Sequence, residues 1–316
     1  MRRELEPWLA GRVVAAAELL APPGPKYVGL ERAAGQRVLS VGRRGKFILV
    51  PLSGGDELVL HLGMTGSLSP EEPADHVRVR LHLLGDGPST IYFRDPRRFG
   101  RFLLVRAGDY EALPTLRDLG PEPFDPEFTA ERFAANLARS RAPVKAYLLS
   151  QRPIAGVGNI YADEGLWRAR VHPLTPAASL RGDQAEALLA ALRDVLAESL
   201  AANGTTLRDY RRLGGETGGF YERLAVYGKD GQPCPRCGAA MERSVVGGRG
   251  TVHCPVCQPA PRRVSGRSAR RAGGPKAGPA RTKAPGRAAP RGAARGGESE
   301  GGGRRARSPK GVDDVR

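Results

Sequence analysis

The sequence predicts an α+β protein of several domains, and three observations carry that reading. Apolar and polar residues alternate with period two through much of residues 11–105. Beyond Pro126 the apolar spacing lengthens to that of a helix. All four cysteines lie between positions 234 and 257.

The 316 residues suffice for about two domains with smaller additions, and 40% hydrophobic residues can fill real cores. Residues 1–10 read as a helix with nothing ahead of Arg2 to cap it. Val77, Val79, Leu81 and Leu83 alternate with Arg78, Arg80 and His82, which predicts a strand with one wet face. Gly85-Asp86-Gly87 then turns the chain into Ile91-Tyr92-Phe93. Leu58 to Leu62 and Val38 to Val41 are expected as further strands. Short strands joined by Gly-rich turns predict a sandwich or a barrel-like domain.

Pro121, Pro123 and Pro126 mark a linker. After it, Ala130, Phe133, Ala134 and Leu137 share one helical face. Asp183 is expected to cap a longer helix through Leu188, Leu192, Val195, Leu196 and Leu200, stopping at Asn203-Gly204. Between these helices, Gly156 to Tyr161 reads as a Gly-rich turn entering another helix. The expected divisions are 1–120, 121–222, 223–258 and a tail, 259–316.

The net charge of +17 is unevenly placed. Sixteen of the 50 Lys+Arg and 4 of the 33 Asp+Glu fall in residues 259–316, which leaves only +5 on residues 1–258. A mildly basic body is a weak argument for nucleic acid, so any such partner must be argued from placed residues. The tail has almost no large apolar side chains and is expected to stay disordered, a salt-sensitive tether to polyanions. No stretch approaches the roughly 20 apolar residues of a membrane span. The N-terminus has no apolar signal core, so a cytoplasmic protein is expected.

Cys234-Pro235-Arg236-Cys237 and Cys254-Pro255-Val256-Cys257 form two Cys-x-x-Cys knuckles. Each knuckle presents two thiolates to one tetrahedral ion. Together Cys234, Cys237, Cys254 and Cys257 make a closed structural Zn(2+) site with no open position for catalysis. Arg249 lies between the knuckles in a Gly-rich hairpin. It is either a solvated charge or a guanidinium rigidly presented to phosphate.

Several strings resemble the formamidopyrimidine-DNA glycosylase (Fpg/Nei) family, in the family's order over roughly residues 2–258. They are Arg43-Arg44-Gly45-Lys46-Phe47, His61 to Leu68, Asp95-Pro96-Arg97-Arg98-Phe99-Gly100, Leu119 to Pro123, Gly156 to Ala162, and the cysteine finger. The resemblance implies an N-terminal β-sandwich, a helical domain with a helix–two-turn–helix motif, and a C-terminal zinc finger with four cysteine ligands. It also implies a monomeric, bacterial-type enzyme of the nucleoid that acts on duplex DNA containing oxidised or abasic sites. Such an enzyme extrudes its target nucleotide at a cost of a few kcal/mol, and something must fill the gap. By resemblance the plug is Met64, Arg97 and Phe99. Met supplies a flexible apolar filler, Phe a wedge, and Arg a donor to the orphaned base. Taken alone, Met64 and Phe99 would read as core residues and Arg97 as a surface charge. The complete trio points to the 8-oxoguanine and formamidopyrimidine branch, with an oxidised-pyrimidine, endonuclease VIII-like glycosylase as the alternative.

Asn159 and the amides at its helix entry resemble the family's phosphate clamp. Lys145, assisted by Arg141, resembles a further DNA-backbone contact, although it could equally be a solvated helix lysine. Thr205 to Tyr210 and the loop through Gly218–Tyr221 resemble the segment that covers the flipped base. Lys46 matches the lysine assigned to β-elimination and Arg249 the arginine assigned to δ-elimination.

Family members normally begin Met-Pro-Glu-Leu-Pro-Glu. After Met removal the proline amine attacks the sugar C1′, because an α-amine has a pKa near 8 and is far less protonated than lysine. Here Arg2-Arg3-Glu4-Leu5-Glu6-Pro7 matches the segment that follows. About nine residues therefore lack a counterpart, roughly 30 Å of extended chain. The expectation is a start upstream of Met1, since Lys46 and Arg249, which serve later steps, are both kept. The competing expectation is a catalytically silent damaged-DNA binder. Without the proline, Lys46 would be the amine that forms a Schiff base.

Overall fold

Residues 1–205 and 218–261 are described by the computed structural model of the chain, and they fall within one unit, Met1–Arg263. The expected tail from residue 262 onward and most of the expected base-covering loop (206–217) lie outside the described residues.

Helix α1 (Arg2–Leu9) buries Leu5 and Leu9, one turn apart, and the Met1 carbonyl accepts the Glu4 and Leu5 amides. Eight strands follow. They are β1 (Val13–Leu19), β2 (Gly42–Arg44), β3 (Phe47–Pro51), β4 (Asp56–His61), β5 (Ser67–Ser69), β6 (Val77–Leu84), β7 (Thr90–Arg94) and β8 (Arg101–Arg106). They form two antiparallel four-stranded sheets, ordered β1-β6-β7-β5 and β2-β3-β4-β8. Val14, Val79, Leu81 and Phe93 of the first sheet share a core with Val50, Leu58, Leu60, Phe102 and Leu104 of the second. This is a sandwich. The alternation seen in β6 holds, with Val79, Leu81 and Leu83 buried and Arg80 and His82 half-buried.

The second sheet is covered on its other face too. Phe47, Val59 and Leu103 pack against Leu113, Leu116, Leu119 and Ala155. Burial on both sides explains why Leu58-Val59-Leu60 of β4 are apolar in succession rather than alternating.

The expected strand Val38–Val41 does not form. Val38 exchanges hydrogen bonds with Gly11 and Arg12 on one side, while Leu39 donates to Pro51 on the other. The segment crosses between the sheets, so its polar groups are shared among different neighbours and no ladder builds. Val38 and Val41 are buried as single anchors, and Leu39 faces solvent.

The helical region holds α2 (Pro114–Arg117), α3 (Ala130–Leu137), α4 (Val144–Leu149), α5 (Asn159–Arg168) and α6 (Gly182–Ala201). Thr129 caps α3 by accepting from Arg132 N, and Phe133 and Leu137 enter a core with Val144, Leu148, Leu166, Leu188 and Leu192. Truncating a fully buried Phe such as Phe133 to Ala costs about 3–5 kcal/mol. Asp183 does not cap α6. The chain turns helical one residue earlier, Arg181 is the N-cap, and Gln184 Oε1 reaches back to accept from Arg181 N at 3.1 Å. Asp183 lies in the first turn instead, where its charge complements the helix dipole. The expected stop is in place, with Asn203 at φ +61° and Gly204 at φ +101° just past the helix.

The last pair of strands, β9 (Glu242–Val246) and β10 (Arg249–His253), is joined through Gly247 and Gly248. Both glycines have positive φ, the conformation a two-residue hairpin turn needs. Among the described residues no helix is long and apolar enough to cross a membrane.

Candidate nucleic-acid interface and metal centre

The turn between β2 and β3 is fixed to the helical region by one carboxylate. Glu122 accepts from Gly45 N at 2.6 Å, Arg43 Nη2 at 2.7 Å and Arg44 Nη1 at 3.3 Å, and Arg44 also donates to the Leu119 and Gly120 carbonyls. Burial alone would raise the Glu122 pKa, but the Gly45 amide and the two guanidinium groups outweigh it and hold the carboxyl below its ordinary value. Pro121 and Pro123 thus flank a pinned crossing rather than a loose linker.

Lys46, next in the turn, is exposed as a residue, yet its Nζ donates to the Val157 carbonyl at 3.2 Å. A Cβ at Gly158 would stand 2.9 Å from that Nζ, so a larger residue there would push the flexible end of the lysine aside. Crowding of the amine first, and the charge of Arg249 second, lower its pKa to about 8.

His61 ends β4 beside this amine. Its ring tilts against Phe47 at 4.8 Å, and its Nδ1 accepts from Gly63 N at 3.0 Å, which leaves the proton on Nε2. Burial, then Lys46 and Arg101, lower its pKa to about 4, and Asp95 opposes the shift without cancelling it. His61, Lys46, Arg101 and Arg249 therefore form a cluster of donors on the positive side of balance. Sequence pattern assigns His61 no role. Its signal was a histidine ending an apolar strand ahead of the Gly-Met-Thr-Gly turn.

That turn carries Met64. Gly63, at φ +65°, lies so close to the loop 95–100 that a Cβ would come within 2.7 Å of the Phe99 carbonyl carbon. Fully buried Asp95 holds the same loop by accepting from Gly100 N at 2.6 Å and from the Tyr27 hydroxyl at 3.3 Å. On these two locked loops Met64 is 55% exposed and Phe99 52% exposed. Arg97 is exposed beside them, its guanidinium 5.6 Å from the Phe99 ring and its Nε 3.4 Å from Thr65 Oγ1. Met64 and Phe99 are thus not core residues. The fold presents two large apolar side chains and a guanidinium together at the surface.

The cysteines converge as expected. The Sγ atoms of Cys234, Cys237, Cys254 and Cys257 all lie within 4.8 Å of one another, and Trp167 Nε1 faces Cys234 Sγ at 3.5 Å. Four thiolates at tetrahedral reach fit one structural Zn(2+), and Val226, Met241 and Val252 pack around them.

Asn159 opens α5 as expected, and its Nδ2 donates to the Gly250 carbonyl at 3.1 Å. Arg249 is exposed at the start of β10, and Arg141 is exposed ahead of α4. Lys145 must be corrected. Its side chain has no exposure at all, and its Nζ meets Asp163 Oδ1 at 2.6 Å, Thr251 Oγ1 at 2.7 Å and the Gly250 carbonyl at 3.0 Å. With its three donor directions used inside the protein, it contacts no DNA backbone. Spacing could have shown this, since Asn159 and Asp163 stand at i, i+4 and face one neighbour together.

Glu164, also absent from the sequence reading, is fully buried and accepts the Ala225, Val226 and Tyr227 amides at 2.9 Å each. Across α5 and α6, the Tyr161 hydroxyl lies 2.8 Å from Ser199 Oγ and 3.3 Å from Thr205 Oγ1. Both flanks of 206–217 are therefore anchored on α5.

Three family models match the chain: the formamidopyrimidine-DNA glycosylase N-terminal domain over residues 1–102, the H2TH domain over 119–211, and the zinc finger found in FPG and IleRS over 231–260. Formamidopyrimidine-DNA glycosylase from Thermus thermophilus is 51% identical over 259 residues, covering 81% of this chain and 95% of the relative. That from Deinococcus radiodurans is 46% identical over 271 residues, covering 82% and 94%. The crystal structure of the MutM (Fpg) protein from Thermus thermophilus superposes with a TM-score of 0.75 at 50% identity, covering 81% of this chain and 95% of that one. Lactococcus lactis Fpg in complex with abasic-site DNA superposes at 0.72 with 32% identity, covering 82% and 97%. With the sandwich, the four-cysteine centre and the exposed Met/Arg/Phe set in place, these matches show that the chain belongs to the formamidopyrimidine-DNA glycosylase family.

Proposed function

We propose that the protein is a base-excision repair glycosylase and AP lyase that removes oxidised purines, 8-oxoguanine and formamidopyrimidines, from duplex DNA and cuts the abasic strand by β,δ-elimination. One observation carries the reading: Met64 and Phe99 stand half-exposed on loops locked by Gly63 and Asp95, in the chain segment that adjoins the His61 and Lys46 cluster. An exposed, rigidly held apolar pair is costly in water and useful when an unstacked base leaves a gap.

The chemistry follows from the charges. Lys46 and Arg249 attract the phosphates flanking the extruded nucleotide, and Asn159, the first amides of α5 and the uncharged His61 ring add neutral donors. An amine, by resemblance the N-terminal proline of the family, displaces the base at C1′ and opens the sugar ring to an imine; a base then removes the 2′ proton, and the C3′–O bond breaks, releasing the 3′ phosphate. Lys46, roughly a tenth uncharged at pH 7 with a pKa of about 8, suits that proton transfer. Removal of the 4′ proton then expels the 5′ phosphate, whose charge Arg249 would receive. The zinc centre holds the hairpin that carries Arg249 and takes no part in either elimination. Monomeric action, a site at the bacterial-type nucleoid in the cytoplasm, and DNA contacts by Arg97 and Arg141 belong to the same proposal.

The test is product analysis with the full chain on duplexes holding 8-oxoguanine opposite cytosine or thymine glycol. Strand breaks with phosphate at both ends, faster on 8-oxoguanine, support the reading. Faster cutting at thymine glycol would shift it to the pyrimidine branch. Binding without cutting of either duplex would make the chain a silent binder.

A further inference from the structure

The buried ion pair Lys145–Asp163 has no place in the chemistry above, and its surroundings are unusual. It lies between α4, α5 and the zinc hairpin, with both side chains almost wholly removed from solvent. Its contacts fall on three consecutive hairpin residues, Gly250, Thr251 and Val252, and reach a fourth, Arg249, through the Thr251 hydroxyl. Thr251 Oγ1 accepts a hydrogen bond from Lys145 Nζ at 2.7 Å and donates one to the Arg249 carbonyl at 3.1 Å. The Gly250 carbonyl receives both Lys145 Nζ at 3.0 Å and Asn159 Nδ2 at 3.1 Å. Asp163 Oδ2 accepts Val252 N at 3.2 Å.

A buried pair is a poor device for stability, because desolvation offsets most of the attraction and apolar residues of equal volume would do as well. It is a good device for fixing geometry, since each partner is satisfied in only one arrangement. Here the fixed object is the backbone that carries Arg249. The Arg249 side chain is long and exposed, so only its backbone can be held in advance. The β9–β10 pairing holds it from one edge, and the Lys145 network holds it from the other. Gly247 completes the seat, its Cβ position 3.1 Å from Ala146 Cβ on α4.

We propose that Lys145 and Asp163 are positioning residues that aim Arg249 through the Thr251 hydroxyl and the Gly250 carbonyl, and so set how often β-elimination proceeds to δ-elimination. The proposal rests on the function proposed above. Because Asn159 shares the Gly250 carbonyl, the same network joins the phosphate clamp at the start of α5 to the hairpin arginine.

The experiment measures, in single turnover on an abasic duplex, the ratio of δ-product to β-product for the zinc-loaded full chain. Lys145→Met/Asp163→Leu removes both charges and fills their volume, and Thr251→Val removes only the relay hydroxyl. The double variant is expected to lower the ratio about tenfold, and Thr251→Val about threefold, with total β-cleavage and zinc content held within about twofold. In an Arg249→Ala background neither change should move the ratio further, as a chain acting through Arg249 requires. A merely structural role would lower both products together. An unchanged ratio in the folded variants, or an equal further drop without Arg249, overturns the positioning role and leaves the function intact. No strand cleavage by the unaltered chain would overturn the function and this role with it. Should the double variant fail to fold, an unchanged ratio in Thr251→Val suffices to reject the proposal.

Discussion

The amine of Lys46, carried by a turn of the β-sandwich, donates to the carbonyl of Val157, the residue two before helix α5. This 3.2 Å bond crosses from the sandwich to the helical region beside Gly158, where an added Cβ would displace the amine. The lysine is thereby held among Arg249, His61 and the α5 entry, and the behaviour of the site with pH follows from that company.

Lys46 has its pKa lowered to about 8, so its uncharged fraction rises as pH climbs through that value. If it takes the 2′ proton, kcat/KM on abasic duplex should rise about fivefold from pH 7 to pH 8 and level off above about pH 9. Lys46→Ala should lose the slope with the activity. A flat or falling profile across this window would leave Lys46 as a phosphate contact alone.

His61 has the opposite consequence, for stability. Its pKa in the fold is about 4, below the ordinary 6.5, so the folded form resists a proton that the unfolded chain accepts. Stability is therefore unaffected by His61 above pH 6.5 and is lost as pH falls from 6.5 toward 4, by about 2–3 kcal/mol. Urea unfolding of the unaltered chain and His61→Asn at pH 7 and pH 4.5 checks this. The variant should lose less on acidification, and equal losses would contradict the assignment.

Glu164 accepts three consecutive amides while fully buried. Glu164→Gln keeps the shape but removes the charge and offers only one carbonyl oxygen. Denaturation should show a loss of about 2–4 kcal/mol, from hydrogen bonds to a charged acceptor and from amides left unpaired. A loss below about 0.5 kcal/mol would mean the amides find other partners.

The zinc centre should prove structural. Removing the ion with a chelator is expected to free four thiols and to unfold the hairpin, because the small core around Val226, Met241 and Val252 includes Cys234, Cys254 and Cys257. Binding to abasic duplex should fall while the sandwich, whose core is separate, melts at its former temperature. A metal-free chain that still binds and still cuts to the δ-product would contradict this account of the hairpin.

Much of this was legible in the residues. Period-two alternation placed β6, and helical spacing placed α3. The Cys-x-x-Cys pairs named the metal site because ligand spacing is a local property. What failed was decided by distant neighbours. Val38–Val41 has the composition of a strand, but Gly11, Arg12 and Pro51 divide its hydrogen bonds. Lys145 looks like a surface cation until Asp163 and Thr251 close over it. Helix α6 begins ahead of Asp183 because Gln184 reaches back to Arg181. Sequence pattern records how a segment meets water, not which segment lies across from it.

On the proposed function, Met64, Arg97 and Phe99 enter the duplex as one nucleotide leaves it. Stopped-flow fluorescence with 2-aminopurine beside an 8-oxoguanine reports that step without any cleavage. The unaltered chain should give a rapid rise, and Met64→Ala/Phe99→Ala should slow or weaken it about tenfold or more while melting within about 1 kcal/mol of the parent, since both side chains are half-exposed. An equal rise in both proteins, or none in either, would contradict the account.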